Sequence, residues 1–215
     1  MTYLDDLRNH LKKHKPTFYP AFPNRKNNIA AGVLVALYDN KDLTCLMTQR
    51  SLALKDHSGE MCFPGGKRQL EDMSLEDTAL REAREEINVR AAVIGKLSSI
   101  PLYTSDFRLE PYVAIAQTPL EELRSNTEVE HIVPISIRHI FDQPFLEGTP
   151  FTYQGQSLVS PHFRPTQLLK KPFFTKITYG GTAIVLYELL QQIAIITDQK
   201  LPPIKVVDWP KDLSS

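Results

Sequence analysis

The sequence has no excess of charge of either sign, because its 25 basic residues balance its 25 acidic residues. A chain without net charge has no overall attraction for nucleic acid, so we expect no nucleic-acid partner. Any phosphate group that the protein binds must therefore be recognised by a local cluster of residues.

Cysteine is also scarce, and the only two, Cys45 and Cys62, form no CxxC pair. The sequence therefore predicts neither a zinc site nor a redox motif. Two buried thiols in a reducing compartment are the favoured interpretation, and a disulfide between them is the alternative. No apolar stretch approaches the length of a membrane span, and the charged N-terminus lacks the apolar region of a signal peptide. We expect a cytoplasmic protein with no membrane partner.

The most informative stretch is residues 63–89. It opens with Pro64-Gly65-Gly66, a turn for which only glycine adopts the backbone torsions at little steric cost. Ser74 is predicted to be the N-cap of a helix, with Asp77 three residues later. One helix face is predicted to be buried, since apolar residues recur along it at a spacing of about four: Leu75, Ala79, Leu80, Ala83 and Ile87.

Three acids of this helix, Glu82, Glu85 and Glu86, fall within an arc of about 100° on another face. Carboxylates this close raise one another's pKa unless a cation lies among them. A run of charge on a helix is most often only a solvated surface. The diglycine turn just upstream favours a site instead, because oxygen ligands around Mg²⁺, completed by substrate phosphates, are the usual arrangement for phosphate chemistry.

Residues 81–89, REAREEINV, resemble the REUxEExGU core of the Nudix box, with Gly66 as its opening glycine. The loop is one residue longer than the common spacing. Counted forward from Gly66, the first glutamate of the box falls on Asp72, and counted back from the helix it falls on Met73. Asn88 replaces the final glycine, a mild change because asparagine tolerates the left-handed conformation.

The residues upstream are similar to the motif that precedes the box in coenzyme A pyrophosphatases, a subgroup that also has the longer loop. The matching segments are Leu46-Met47-Thr48-Gln49-Arg50-Ser51, then Lys55, Gly59 and Phe63-Pro64-Gly65-Gly66. The motif has arginine where this chain has Lys55, so the charge is kept but the bidentate fork is lost.

This resemblance implies an α/β protein with the Nudix α/β/α sandwich, a mixed sheet and the Nudix loop-helix-loop. It also implies metal-dependent hydrolysis of the pyrophosphate bond of coenzyme A or acyl-CoA, giving 3′,5′-ADP and (acyl-)4′-phosphopantetheine. One alternative is a Nudix pyrophosphatase for another dinucleotide, such as ADP-ribose or NADH. The other is a non-catalytic Nudix-like module that binds a nucleotide, against which the intact acids argue.

The same resemblance implies roles for individual residues. The implied ligands of Mg²⁺ or Mn²⁺ are Glu82, Glu85, Glu86 and the carbonyl of Gly66. Arg81 is expected to orient one of the carboxylates. Either Glu85 or Glu128 takes the proton from the attacking water, and the choice stays open. The expected substrate-binding cations are Arg50, Lys55 and Lys67, although Lys55 fits a solvated loop surface equally well.

We expect three segments along the chain. Residues 1–27 form an N-terminal helix and linker, which either caps the domain or makes a homodimer contact. Residues 28–198 form the Nudix hydrolase domain, and residues 199–215 form a C-terminal tail.

The predicted strands are 29–38, 43–50, 91–102, 112–117 and 132–137. The predicted loop residues Asp106, Arg108 and Glu110 have no role, and a final helix over 183–197 is expected to be capped by Thr182. Aromatic side chains are frequent in residues 143–175, where core packing is a commoner use than stacking on an adenine.

Overall fold

The computed structural model describes residues 3–209, which form a large mixed sheet between helices and a second, three-stranded sheet. Residues 1–2 and 210–215, which belong to the expected N-terminal segment and tail, lie outside the described residues. The α-helices are α1 (Tyr3–Leu11), α2 (Leu75–Ile87), α3 (Ile137–Phe141), α4 (Pro165–Leu168) and α5 (Gly180–Thr197). The strands of the large sheet are β1 (Ile29–Tyr38), β2 (Thr44–Arg50), β3 (Met61–Cys62), β4 (Gly65–Lys67), β5 (Ala91–Lys96), β6 (Ile100–Pro101), β7 (Phe107–Ala116) and β8 (Val129–Ser136). The strands of the small sheet are β9 (Leu146–Tyr153), β10 (Gln156–His162) and β11 (Ile204–Val206).

Strand β1, predicted over residues 29–38, lies at the centre of the large sheet, and its residues 31–37 are buried. It pairs in parallel with β7 and antiparallel with β4, whose Gly66 lies opposite Gly32. Strand β2 pairs with β1 only at Leu37 and Tyr38, and then runs beside β8. Strands β1 and β2 therefore form a short hairpin, but most of β2 pairs with β8.

Apolar side chains pack on both faces of this sheet. On one face, Leu34 and Ala36 of β1 contact the predicted buried face of α2, where Ala79, Ala83 and Ile87 are fully enclosed. On the other face, Val33 and Val35 of β1 belong to a cluster that includes the leucines of α1 and α5. The expected α/β/α sandwich is confirmed. The leucines of α1 are buried against the domain, so α1 caps it.

Helix α5 begins at Gly180, with Tyr179 as N-cap, so the prediction that Thr182 is the N-cap was wrong. Gly180, the first residue of the helix, has a φ of +61°, which glycine tolerates. By length and composition alone α5 is long and apolar enough to cross a membrane, which the sequence interpretation overlooked. Its inward side packs on the large sheet through Leu186, Leu190 and Ile193.

The assignment of residues 106–110 to a loop was wrong from Phe107 onward, because β7 begins there. Arg108 and Glu110 are buried polar residues of this strand. The Arg108 guanidinium donates to the carbonyl of Tyr19, and Glu110 accepts from the Ser99 hydroxyl. Both residues therefore fasten neighbouring segments to the sheet, which explains polar residues at strand positions.

The aromatic-rich region supplies two strands of the small sheet, and the expected tail supplies the third. Strands β9 and β10 form a hairpin, and β11 pairs in parallel with β9. Phe163 and Phe174 are core residues, as the commoner use predicts, whereas Phe173 is exposed. Residues 204–206 of the tail are thus part of a sheet.

Candidate active site

The diglycine turn lies directly against helix α2. A Cβ atom added to Gly66 would lie 2.5 Å from Oε1 of Glu82, and one added to Gly65 would lie 2.5 Å from the carbonyl oxygen of Gly32. A side chain at either position would clash with these atoms, so both positions require glycine. Their small size lets the backbone of β4 lie beside a carboxylate of α2.

Both ends of α2 are formed as the sequence predicts. The Ser74 hydroxyl accepts a hydrogen bond from the Asp77 N–H at 3.1 Å. At the other end Asn88 adopts the left-handed conformation, with φ of 57°, and its N–H donates to the carbonyl of Arg84 at 3.0 Å. These caps set the start and end of the helix, and thereby the positions of its acids.

Asp72 is the anchor of Arg81. The Arg81 Nε and Nη2 atoms donate to the two carboxylate oxygens of Asp72 at 2.9 and 3.0 Å. The Asp72 carboxylate also accepts from the Gln69 N–H and the Thr78 hydroxyl. The hydrogen bonds from Arg81, together with the other donors, hold the pKa of Asp72 well below its usual range. Arg81 is thereby fixed on the loop that precedes the helix.

Arg81 also contacts two of the predicted metal ligands. Nη1 donates to Oε2 of Glu85 at 3.0 Å, and Nη2 lies 2.9 Å from Oε1 of Glu82. Burial raises the pKa of Glu82 in spite of this contact. Arg81 therefore orients two carboxylates, where the resemblance implies one.

Glu86 is the most buried of the three acids, with 6% of its surface exposed. Burial and the charge of Glu82 raise its pKa to about 8, although the Gly65 N–H donates to its carboxylate. Among the described residues Oε2 has no hydrogen-bond partner. A buried carboxylate oxygen without a donor is costly unless a cation binds to it.

Arg50 lies beside Glu86, close enough to lower the pKa of that carboxylate. Within residues 3–209 its buried Nε atom has no hydrogen-bond partner either. The guanidinium also lies near the thiol of Cys62, whose pKa burial raises to about 11. Both cysteines are free, so the disulfide alternative was wrong.

The other predicted residues are less closely gathered. Lys67 places its Nζ 4.8 Å from the ring centre of Phe107, while its carbonyl accepts from Arg81. Lys55 is exposed on the loop between β2 and β3. Glu128 is exposed, but its charge raises the pKa of both Glu82 and Glu86, so it lies on the same side of α2.

The carboxylates fit a hard divalent cation, although they are not already gathered around one point. In the part of the chain that the structure describes, no three histidine, cysteine or acidic side chains form a ready-made metal cluster. Glu82 and Glu85 are instead held by Arg81, and Glu86 is buried. Burial, together with the neighbouring carboxylates, raises the pKa values of Glu82 and Glu86, and one Glu86 oxygen is unsatisfied. A divalent cation with oxygen ligands would stabilise the charged form of these acids.

Sequence reasoning gave Asp72 no role. The signal was nevertheless present, because counting forward from Gly66 places the first acid of the box on Asp72. The longer loop left that correspondence open, and the role of Asp72 is evident only from its two hydrogen bonds with Arg81.

Comparisons with known proteins identify relatives of the chain. The profile of the NUDIX domain matches residues 28–140. The chain is 31% identical over 173 residues to "Uncharacterized Nudix hydrolase NudL" of Photorhabdus laumondii, covering 79% of this chain and 87% of the relative. It is 27% identical over 170 residues to a protein of the same name from Yersinia pestis, covering 78% and 81%.

Two solved structures also align with the chain. A MutT/nudix family protein from Enterococcus faecalis is 14% identical, with a TM-score of 0.48, over 92% of this chain and 75% of that one. A NUDIX hydrolase from Nitrosomonas europaea is 12% identical, with a TM-score of 0.47, over 89% and 81%.

Proposed function

The chain belongs to the Nudix hydrolase family, and from this premise we propose that it hydrolyses the pyrophosphate bond of coenzyme A or acyl-CoA. The products are 3′,5′-ADP and the (acyl-)4′-phosphopantetheine moiety. The observation that carries the proposal is the pair of unsatisfied buried atoms beside the diglycine turn, Oε2 of Glu86 and Nε of Arg50. One calls for a cation and the other for an acceptor such as a phosphate oxygen.

The proposed metal site consists of Glu82, Glu85 and Glu86, with the carbonyl of Gly66. Mg²⁺ or Mn²⁺ bound there supplies charge neutralisation of the diphosphate and activation of water. Arg81, fixed by Asp72, holds Glu82 and Glu85 near their binding positions. Its single positive charge is shared with Asp72, so it compensates these carboxylates only in part and leaves charge for a cation to neutralise.

The substrate phosphates are proposed to bind Arg50, which lies beside Glu86, with Lys67 and Lys55 at the edge of the site. The proton of the attacking water goes to Glu128 or Glu85. Glu85 is bound by Arg81, whereas in the described residues the Glu128 carboxylate has no ion pair, which favours Glu128. A cytoplasmic location is part of the proposal, since two free thiols suit a reducing compartment.

A substrate panel tests this proposal. Coenzyme A, an acyl-CoA, ADP-ribose and NADH are incubated with the protein and either Mg²⁺ or Mn²⁺, and the products are separated by chromatography. We expect the highest kcat/KM for coenzyme A or its ester, with 3′,5′-ADP as a product. A higher kcat/KM for ADP-ribose or NADH would contradict the substrate assignment. Tight nucleotide binding with no turnover would contradict catalysis itself.

A further inference from the structure

The only tryptophan of the sequence, Trp209, lies beside the N-terminus of α5. Its ring meets the ring of Tyr179, the N-cap of that helix, with centroids 5.9 Å apart and planes at 86°. The preceding segment is held by the small sheet, where Val206 pairs with Gly148 and the Val207 N–H donates to the Gly148 carbonyl at 2.9 Å. Trp209 is therefore positioned by its neighbours, and 44% of its surface is exposed.

A short series of contacts connects Trp209 to the candidate active site. The Tyr179 hydroxyl donates to Oε1 of Glu60 at 3.2 Å. The carbonyl of Glu60 accepts from the N–H of Arg50 at 2.9 Å, and Arg50 is the cation beside Glu86. The aromatic pair is thus linked, through Glu60, to the backbone of the proposed phosphate-binding arginine.

Basic side chains lie on or beside the loop that contains Glu60, between β2 and β3. Nδ1 of His57 lies 3.0 Å from Oε2 of Glu60, and Nζ of Lys176 donates to the carbonyl of Ser58 at 2.7 Å. Lys55 is exposed on this loop. The partly exposed indole packs on Tyr179, whose hydroxyl binds the same Glu60 carboxylate that His57 contacts. An exposed aromatic ring, with cationic side chains on the adjoining loop, suits a base bound by stacking and phosphates bound by charge.

We propose that Trp209, supported by Tyr179, is the stacking platform for the adenine ring of the substrate. This inference depends on the proposed function in placing the diphosphate at Arg50 and the acids of α2. It assigns the adenine, and not the pantetheine arm, to the side of the site formed by the C-terminal segment. Tyr179 acts as a positioning residue, because its hydroxyl ties the aromatic pair to the loop of Glu60.

Fluorescence of the single tryptophan tests the platform without requiring turnover. The wild-type protein is titrated with 3′,5′-ADP and, separately, with 4′-phosphopantetheine. We expect saturable quenching by 3′,5′-ADP and none by 4′-phosphopantetheine. Quenching by 4′-phosphopantetheine alone, or saturable quenching by neither compound, would overturn the inference. Failure of the proposed function would appear separately, as absence of coenzyme A hydrolysis by the wild-type protein.

Kinetics of matched variants provide a second readout. We expect Trp209→Ala to raise KM for coenzyme A about tenfold with little change in kcat, since stacking on one aromatic side chain has this magnitude. Trp209→Phe should restore most of the affinity. Tyr179→Phe, which keeps the ring but loses the bond to Glu60, should raise KM to a smaller extent.

The control is Val206→Ala, an exposed position of the same segment. It should leave KM unchanged, whereas an equal rise in KM in this variant would show that loosening of the segment causes the effect and would overturn the platform. An unchanged KM in Trp209→Ala would also overturn it.

Discussion

At the scale of single residues, Glu86 combines burial with an unsatisfied oxygen. We expect Glu86→Gln to lower kcat for coenzyme A by more than about a hundredfold, the upper range for loss of a residue that only supports a metal ligand. The fold should remain intact, because glutamine has the same shape and carries no charge. Steady-state kinetics and circular dichroism measure the two effects. Wild-type turnover by a folded Glu86→Gln protein would show that this carboxylate is not a ligand.

The raised pKa of Glu86 predicts a pH dependence of stability in the metal-free protein. An acid that ionises near pH 4.5 when unfolded and near pH 8 when folded favours the native state only while it stays protonated. The wild-type protein should therefore lose stability relative to Glu86→Gln as pH rises from about 4.5 to about 8, with no further change above that. Thermal melts in EDTA measure this difference. A Tm difference that is constant over this pH range would contradict burial of the ionisable carboxylate.

The lowered pKa of Asp72 predicts the opposite dependence of stability on pH. Its ion pair with Arg81 stabilises the protein above the ordinary pKa of an aspartate, and this contribution is lost as pH falls through the folded-state pKa. We expect Asp72→Asn to lower Tm at pH 7 and to reduce kcat by about tenfold, a magnitude typical of residues that orient ligands. The difference in Tm should shrink on acidification below about pH 4. The exposed neighbour Glu71 supplies the control, and a Glu71→Gln protein with the same losses would refute a specific role for Asp72.

At the scale of the element, α2 is the part of the molecule that the sequence predicts best. Ser74, the apolar face and Asn88 are local signals, and the structure confirms each of them. The Arg81–Asp72 pair was missed because it depends on the path of a loop, which no periodic pattern encodes. Residues 107–110 were assigned to a loop because polar side chains in a strand are uncommon, and their partners come from distant segments.

The capping of α2 gives a prediction at this scale. Ser74→Ala should lower the free energy of unfolding by about 1 kcal/mol, since the first turn loses its side-chain acceptor. Asn88→Ala should cost about 1 kcal/mol because alanine is disfavoured in the left-handed conformation, whereas Asn88→Gly should be neutral or stabilising. Urea denaturation measures all three variants. Equal effects of alanine and glycine at position 88 would contradict the observed backbone conformation.

At the scale of the whole molecule, the family profile covers residues 28–140, while the segments that flank it build α1, the small sheet and α5. The small sheet could not be predicted, because β11 reaches β9 from more than 50 residues away along the chain. These flanking segments bring Tyr179 and Trp209 to the loop of Glu60. The family core thus supplies the candidate metal site, and the flanking segments supply the proposed base-binding side.

The protein carries no net charge, so it cannot attract a polyanionic substrate through its overall field. Local charge must therefore attract the substrate, and we expect a divalent cation held by the acids of α2 to supply it. Binding of Mn²⁺, followed by electron paramagnetic resonance in the wild-type protein and in the Glu82→Gln/Glu86→Gln double variant, measures this directly. We predict that the wild-type protein binds Mn²⁺ and that the double variant, still folded, binds it at least about tenfold more weakly. Equal Mn²⁺ affinity in the two proteins would contradict the account.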